Sequence, residues 1–167
     1  MNYDPIKQSV GRVFNSIPLL RRFFYLLLDL LLLRAWHIKK EIKIWAKNAP
    51  KNASIIDAGA GFGQYVYFMS SLKSQWKITG VDVKLEQVED CNNFFTKINR
   101  QNRVSYQEGD LTQFVSNEPV NMILSVDVME HILEDVTVFK NFYASLHKGG
   151  MLLISTPSDM GGSDVHD

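Results

Sequence analysis

Between Asp57 and Gly63 the chain reads Asp-Ala-Gly-Ala-Gly-Phe-Gly, three alternating glycines preceded by a carboxylate. Where a strand turns into a helix, small residues let a ligand come close to the backbone. A dinucleotide loop has the spacing Gly-x-Gly-x-x-Gly and seats a pyrophosphate on a helix N-terminus. A nucleoside triphosphate and its magnesium need a Lys-Ser/Thr pair, and none follows Gly63. An aspartate two residues before the first glycine, expected to face the ligand, repels pyrophosphate and attracts an ammonium and, more weakly, a sulfonium. S-adenosylmethionine carries both cations and no phosphate. A tight structural turn is the competing reading of the same glycines.

Two more carboxylates follow at regular places. Asp82 closes the apolar segment Lys77 to Val81, about 20 residues beyond the glycine loop, where a carboxylate can accept both hydroxyls of a ribose or cap the next helix. Gly109-Asp110-Leu111 closes another such segment and puts an acceptor beside an apolar side chain, a setting for an adenine amino group. Carboxylates at the carboxyl ends of three strands of one parallel sheet stand where open α/β sheets bind ligands.

The elements that must hold these residues follow from the alternation of short apolar runs with longer helical patterns after Pro50, which predicts a doubly wound α/β fold with a parallel sheet. Strands are expected at residues 54–56, 77–81, 104–107, 120–125 and 151–155. Helices are expected at 64–72, 85–99 and 135–146, the last ended by Gly149-Gly150. The last dozen residues are rich in glycine and aspartate and read as loop.

Taken together these residues resemble the class I S-adenosylmethionine-dependent methyltransferases, and among them the ubiquinone and menaquinone biosynthesis branch. The resemblance runs from Ile55 to Pro157 through the glycine loop, Gly80-Val81-Asp82, Glu108-Gly109-Asp110-Leu111, Asp127-Val128-Met129-Glu130-His131-Ile132 and Leu146 to Pro157. It implies a Rossmann-like core in which Asp57, Gly59, Gly61 and Gly63 hold the methionine part, Asp82 the ribose, and Asp110 with Leu111 the adenine, with Val83 among the cofactor-binding residues. Ser125 to Asp127 would line the floor beneath the methyl. Two further strands, usually an antiparallel hairpin, complete such a domain; their absence after Pro157 leads to the expectation of a fragment, or of an edge covered by another subunit or by the N-terminal helices.

Transfer from a sulfonium needs alignment and exclusion of water, and a base only for some acceptors. Glu130 and His131 are the candidate catalytic residues. With Asp127 they occupy i, i+3 and i+4 and would share one face of a helical turn. Three readings stay open for them: Asp127 as a cap with His131 packed on neighbours, His131 as a base, and divalent-metal ligation by Asp127, Glu130 and His131. No metal is assigned. His147, beside Lys148, is explained by the dipole at a helix end, and neither His37 nor His166 has a visible partner.

Residues 1–49 are expected to form an N-terminal helical region, a lid or a packing or dimer element. Phe23 to Leu33 is FFYLLLDLLLL, shorter than the roughly 20 residues of a spanning helix, interrupted by Asp29 and bounded by arginines. It is expected to pack on the domain, where it could close over a lipophilic acceptor, to pair with a second copy, or to touch a membrane surface. From Arg34 to Ala46, Ile38, Ile42 and Trp45 share one helical face. Equal counts of acidic and basic residues, 18 each, argue against a protein whose main business is gripping phosphate backbones and give no strong nucleic-acid signal. The single Cys91, expected to be half-buried, can form no internal disulfide, which suits a cytoplasmic location. The expected activity is methyl transfer from S-adenosylmethionine to a small or lipophilic acceptor. The alternatives are a non-catalytic cofactor-binding or assembly protein and a nicotinamide-dependent oxidoreductase.

Overall fold

A computed structural model describes residues 17–157; the glycine- and aspartate-rich tail and His166 lie outside the described residues. Two helices, α1 (Pro18–Leu31) and α2 (Leu33–Trp45), precede the strand β1 (Ser54–Ala58) and the helix α3 (Gln64–Leu72). Then come β2 (Lys77–Asp82), α4 (Leu85–Lys97), β3 (Val104–Glu108), β4 (Val120–Val126), a 3-10 turn (Met129–His131), α5 (Asp135–Ser145) and β5 (Leu146–Ser155). The five strands form one parallel sheet in the order β3-β2-β1-β4-β5.

Both faces of this sheet are covered, which is why its central strands are runs of apolar residues rather than alternating patterns. Ile55 on β1 faces a cluster built with Val66 and Met69 of α3 and Phe94 of α4, while Ile56 and Ala58 face Val138 and Phe142 of α5. Strand order reverses between β1 and β4. The carboxyl ends of the strands therefore open a crevice at the point where ligands bind in such sheets.

The long apolar run near the N-terminus divides between two helices. Pro18 supplies the preset φ suited to the first turn of α1, and Leu32, with φ −108° and ψ 100°, breaks the helix before α2 begins. Ile38 and Ile42 are buried and Trp45 packs on Trp76 at 5.2 Å, as the helical spacing predicts. Tyr25, Ile38, Ile42 and Ala46 belong to the same apolar cluster as α3 and α4. No helix among the described residues is long and apolar enough to cross a membrane.

The end of α5 corrects the sequence reading. The helix stops at Ser145, because Leu146 is already extended and pairs with Val120. The next pair along the ladder is Met122 with Met151, so the residues between bulge out of β5, and Gly149 takes the left-handed φ of +82° there. Gly149-Gly150 thus marks a bulge in a strand, not the end of a helix. His147 consequently sits in β5, where Nδ1 donates to the Lys148 carbonyl at 2.7 Å and Nε2 accepts from Asn121 at 2.6 Å. A helix dipole plays no part in its setting. Cys91 is fully buried rather than half-buried.

Candidate functional site

The glycine loop leaves β1 and enters α3 through a series of left-handed residues, with φ of +78° at Gly59 and +81° at Gly63. Gly59 N and Ala60 N donate to the Val81 carbonyl at 2.8 and 3.0 Å, so the loop folds over the end of β2. A Cβ on Gly59 would lie 2.2 Å from a methyl of Val128, and one on Gly63 2.5 Å from the Tyr106 hydroxyl. Only glycine meets both the torsion and the space at these two positions.

A cleft of about 750 Å³ runs from this loop along the ends of β2, β3 and β4. Gly59, Gly61, Asp82, Val83, Asp110, Leu111, Asp127 and His131 line it. Asp82 holds the cleft's shape: Oδ2 accepts from Gly61 N at 2.8 Å and Oδ1 from Lys84 N at 2.9 Å. Lys84 is the cap residue of α4, so Asp82 makes a turn ahead of the helix rather than capping it, and lone pairs on both oxygens remain for a ligand. Asp110 is exposed and accepts from both the backbone and the hydroxyl of Thr112 at 2.9 and 2.8 Å, bonds that lower its carboxyl below the ordinary range. Leu111 turns inward against α5.

Asp57 stands elsewhere than expected. Its carboxyl is buried behind the loop, on the Ile55 face of β1, and does not line the cleft. Oδ2 has no hydrogen-bond partner. Burial, followed by the nearby charge of Asp82, pushes this carboxyl up to about 7. Ser125 Oγ is also buried and unpartnered.

Asp127 follows β4 in the left-handed region, with φ of +54°. Its Oδ2 pairs with Arg34 Nη2 at 2.5 Å, and its Oδ1 is buried without a partner. Burial raises this carboxyl, against the opposing pull of Arg34. Beyond it, Glu130 accepts from Thr156 Oγ1 at 3.1 Å near the end of β5, while His131 is exposed on the cleft wall. The turn here is a single 3-10 turn, so Asp127, Glu130 and His131 do not share a helical face. Among the described residues no three His, Cys, Asp or Glu side chains form a group able to hold a metal ion, and the metal-ligation reading has no geometry behind it.

Sequence reasoning missed the contribution of the N-terminal helices. Arg34, read there only as the boundary of an apolar run, reaches from α2 to Asp127. Tyr65, at the start of α3, feels Arg34, Asp57 and Asp127 together, and burial pushes its phenol up to about 12. Arg21 of α1 is buried: Nη2 donates to the Phe62 carbonyl at 2.7 Å and to Cys91 Sγ at 2.8 Å, Nε to Tyr25 at 2.8 Å, and the guanidinium lies 4.7 Å from the Phe94 ring centroid. Tyr25 donates to the same Phe62 carbonyl. An arginine two positions before an apolar run carries no signal of burial in the sequence, because its partners are mostly backbone and thiol groups far along the chain.

A parallel sheet in this order, with a glycine turn at the reversal point and carboxylates at the ends of β2 and β3, defines a Rossmann-like α/β domain with its cleft at the topological switch point. Residues 49–165 match the family model described as methyltransferase domain, and the chain belongs to that family. Solved structures with the same fold include coclaurine N-methyltransferase bound to N-methylheliamine and S-adenosylhomocysteine (19% identity, TM-score 0.61, 69% of this chain and 34% of that one). Two others are complexes with S-adenosylhomocysteine. One is the O-methyltransferase of a trans-AT polyketide synthase multienzyme from Brevibacillus brevis (24% identity, TM-score 0.59, 61% and 34%). The other is an S-adenosylmethionine-dependent methyltransferase from Geobacter sulfurreducens (18% identity, TM-score 0.57, 70% and 46%). The matched region therefore spans about a third to a half of these proteins. Comparison with curated protein sequences gives no match.

Proposed function

We propose that this domain binds S-adenosylmethionine in the cleft at the strand ends and serves transfer of its methyl group to a small or lipophilic acceptor. The observation that carries the reading is the cleft itself, where Asp82, with lone pairs free on both oxygens, Asp110 and Asp127 stand beside the glycine loop; outside its lining Arg34 groups with the unpartnered carboxyl oxygens of Asp57 and Asp127 around Tyr65. One guanidinium beside two carboxyls suits the zwitterionic end of an amino acid, and a pyrophosphate would meet repulsion there. The cofactor supplies a methyl group activated on a sulfonium.

The chain's own residues then bind and orient. Asp82 accepts the ribose hydroxyls while its bond to Gly61 N holds the loop in place, and Val83 and Leu111 flank the adenine. Asp57, outside the cleft lining with Oδ2 unpartnered and its carboxyl pushed up to about 7, acts on the amino-acid end through its charge, and an ammonium arriving nearby would draw its proton away. Ile132 and Leu133 add an apolar wall on the acceptor side of the cleft, and Leu133 is 96% exposed there. That wall supports an acceptor with an apolar body. His131 stands on the same wall and is placed to take a proton from an acceptor hydroxyl or amine. Glu130, engaged by Thr156, supports the turn that carries it.

Calorimetric titration with S-adenosylmethionine, S-adenosylhomocysteine and NAD tests the reading. Binding of the first two and not of NAD is expected; binding of NAD without S-adenosylhomocysteine overturns it.

A further inference from the structure

On α1 the apolar residues point the wrong way for a helix that merely covers a core. Leu19, Phe23, Leu26, Leu27 and Leu30 follow one another at helical spacing and are exposed, whereas the residues facing the domain include Arg21 and Tyr25. The stripe continues past the break at Leu32 into Leu33 and Trp36 of α2. Exposures of 81% at Leu30, 81% at Leu33 and 72% at Trp36 leave large side chains in water at the turn between the helices. A contiguous exposed apolar surface of this kind marks a contact with something else.

The charges around it say what. Residues 17–47 hold seven lysines and arginines against two acids, in a chain whose net charge is zero. Arg21 is buried and Arg34 pairs with Asp127, and four of the others lie beside the apolar stripe. Lys39, Lys40 and Lys43 line a groove with Leu26, Leu30 and Trp36, and Arg22 borders a second one with Leu19 and Phe23. Of the two acids, Asp29 is taken up by Lys39 and Gln64. Among the described residues no carboxylate pairs with Arg22, Lys40 or Lys43.

We infer that the α1–α2 hairpin docks on an anionic phospholipid surface, with Leu26, Leu30, Leu33 and Trp36 entering the headgroup boundary and Arg22, Lys40 and Lys43 meeting the lipid charges. A helix of 14 residues with an exposed apolar stripe and a basic border is suited to lie in the interface plane, not to cross it. Trp36 stands where aromatic rings favour the boundary between water and lipid. A second copy in the same place would bring two strongly basic faces together, which like-charge repulsion opposes. The opposite side of α1 holds the glycine loop through Arg21 and Tyr25, so docking would bring the cofactor cleft close to the lipid phase. The inference needs no particular acceptor and does not depend on turnover.

The test is sedimentation of the full chain with vesicles of phosphatidylcholine alone or with a quarter phosphatidylglycerol, with fluorescence of the tryptophans read in parallel. Trp76 is buried and Trp45 half-buried, so a blue shift reports chiefly on Trp36. Binding is expected to the anionic vesicles, to weaken at high salt, and to fall about tenfold or more in the double variant Lys40→Glu, Lys43→Glu. That variant should melt as the wild type does and bind S-adenosylhomocysteine equally well, which separates failure of docking from failure of the cofactor reading. Equal binding to neutral vesicles overturns the charge argument. No vesicle binding, with a dimer in analytical ultracentrifugation that Leu30→Ser dissolves, overturns the inference in favour of a second copy. No vesicle binding by a monomer overturns it outright.

Discussion

Folding places the Asp57 carboxyl under electrostatic tension. Its carboxyl titrates near 7 rather than at its ordinary 3.8, because the folded chain buries it without a partner for Oδ2. A carboxyl raised by folding favours the folded state below its unfolded pKa, and that advantage is lost as pH rises to the folded value. Asp57→Asn should therefore match the wild type in stability below about pH 4 and gain on it steadily as pH rises to about 7. Denaturant titrations of the ligand-free proteins across that range measure the gap, and no widening would mean that Asp57 is already satisfied. The same variant should lose about tenfold or more in S-adenosylmethionine affinity, since an amide cannot answer an ammonium as a carboxylate does. In the wild type, cofactor binding near pH 7 should release a proton, visible as a heat that depends on the ionisation enthalpy of the buffer. Arg34→Ala separates binding from folding differently. Its pair with Asp127 is partly exposed, so stability should change by less than about 1 kcal/mol, whereas cofactor affinity should fall if the guanidinium meets the amino-acid carboxylate.

The glycine turn keeps its shape because neighbouring elements leave no room for anything else. Gly80 of β2 lies under the Tyr106 ring of β3, which stacks on Phe95 of α4 at 5.8 Å, and a Cβ there would sit 2.4 Å from that ring. Gly80→Ala should cost about 1–3 kcal/mol in a thermal melt. It should also weaken cofactor binding, because the displaced tyrosine touches Gly63. The contact between α1 and the loop is of another kind. Arg21→Met would keep much of the packing on Phe94 but leave the Phe62 carbonyl with Tyr25 as its remaining donor. The expected loss is about 1–3 kcal/mol, with hydrogen exchange rising first in α1 and at Phe62. Unchanged exchange in the loop would mean that Arg21 merely fills space.

The N-terminal hairpin and the sheet share one apolar cluster, so the molecule is built as a whole even though its ends differ in composition. Deleting residues 1–49 removes Tyr25, Ile38, Ile42 and Ala46 from that cluster and should leave a chain that binds hydrophobic dyes and melts without a sharp transition; a cooperative melt would show that residues 50–167 fold alone. The parallel sheet, its strand ends and the glycine loop were legible in the residues, because apolar runs and glycine spacing are local consequences of covered strands and a close turn. Asp82, Asp110 and Leu111 could likewise be placed from position alone, each standing at the end of a predictable strand. The bulge at Gly149 could not, since a helix end and a strand irregularity use the same glycines and only pairing with Val120 and Met122 separates them. Nor could the turn at Asp127, where a spacing of i, i+3 and i+4 suggested one face and a single 3-10 turn divided it. Most of all, the charge set against Asp127 at the candidate cleft comes from Arg34, whose position in the chain is far from that carboxylate. Local patterns report what the backbone must do next; which charge meets which carboxyl is decided only when distant segments pack.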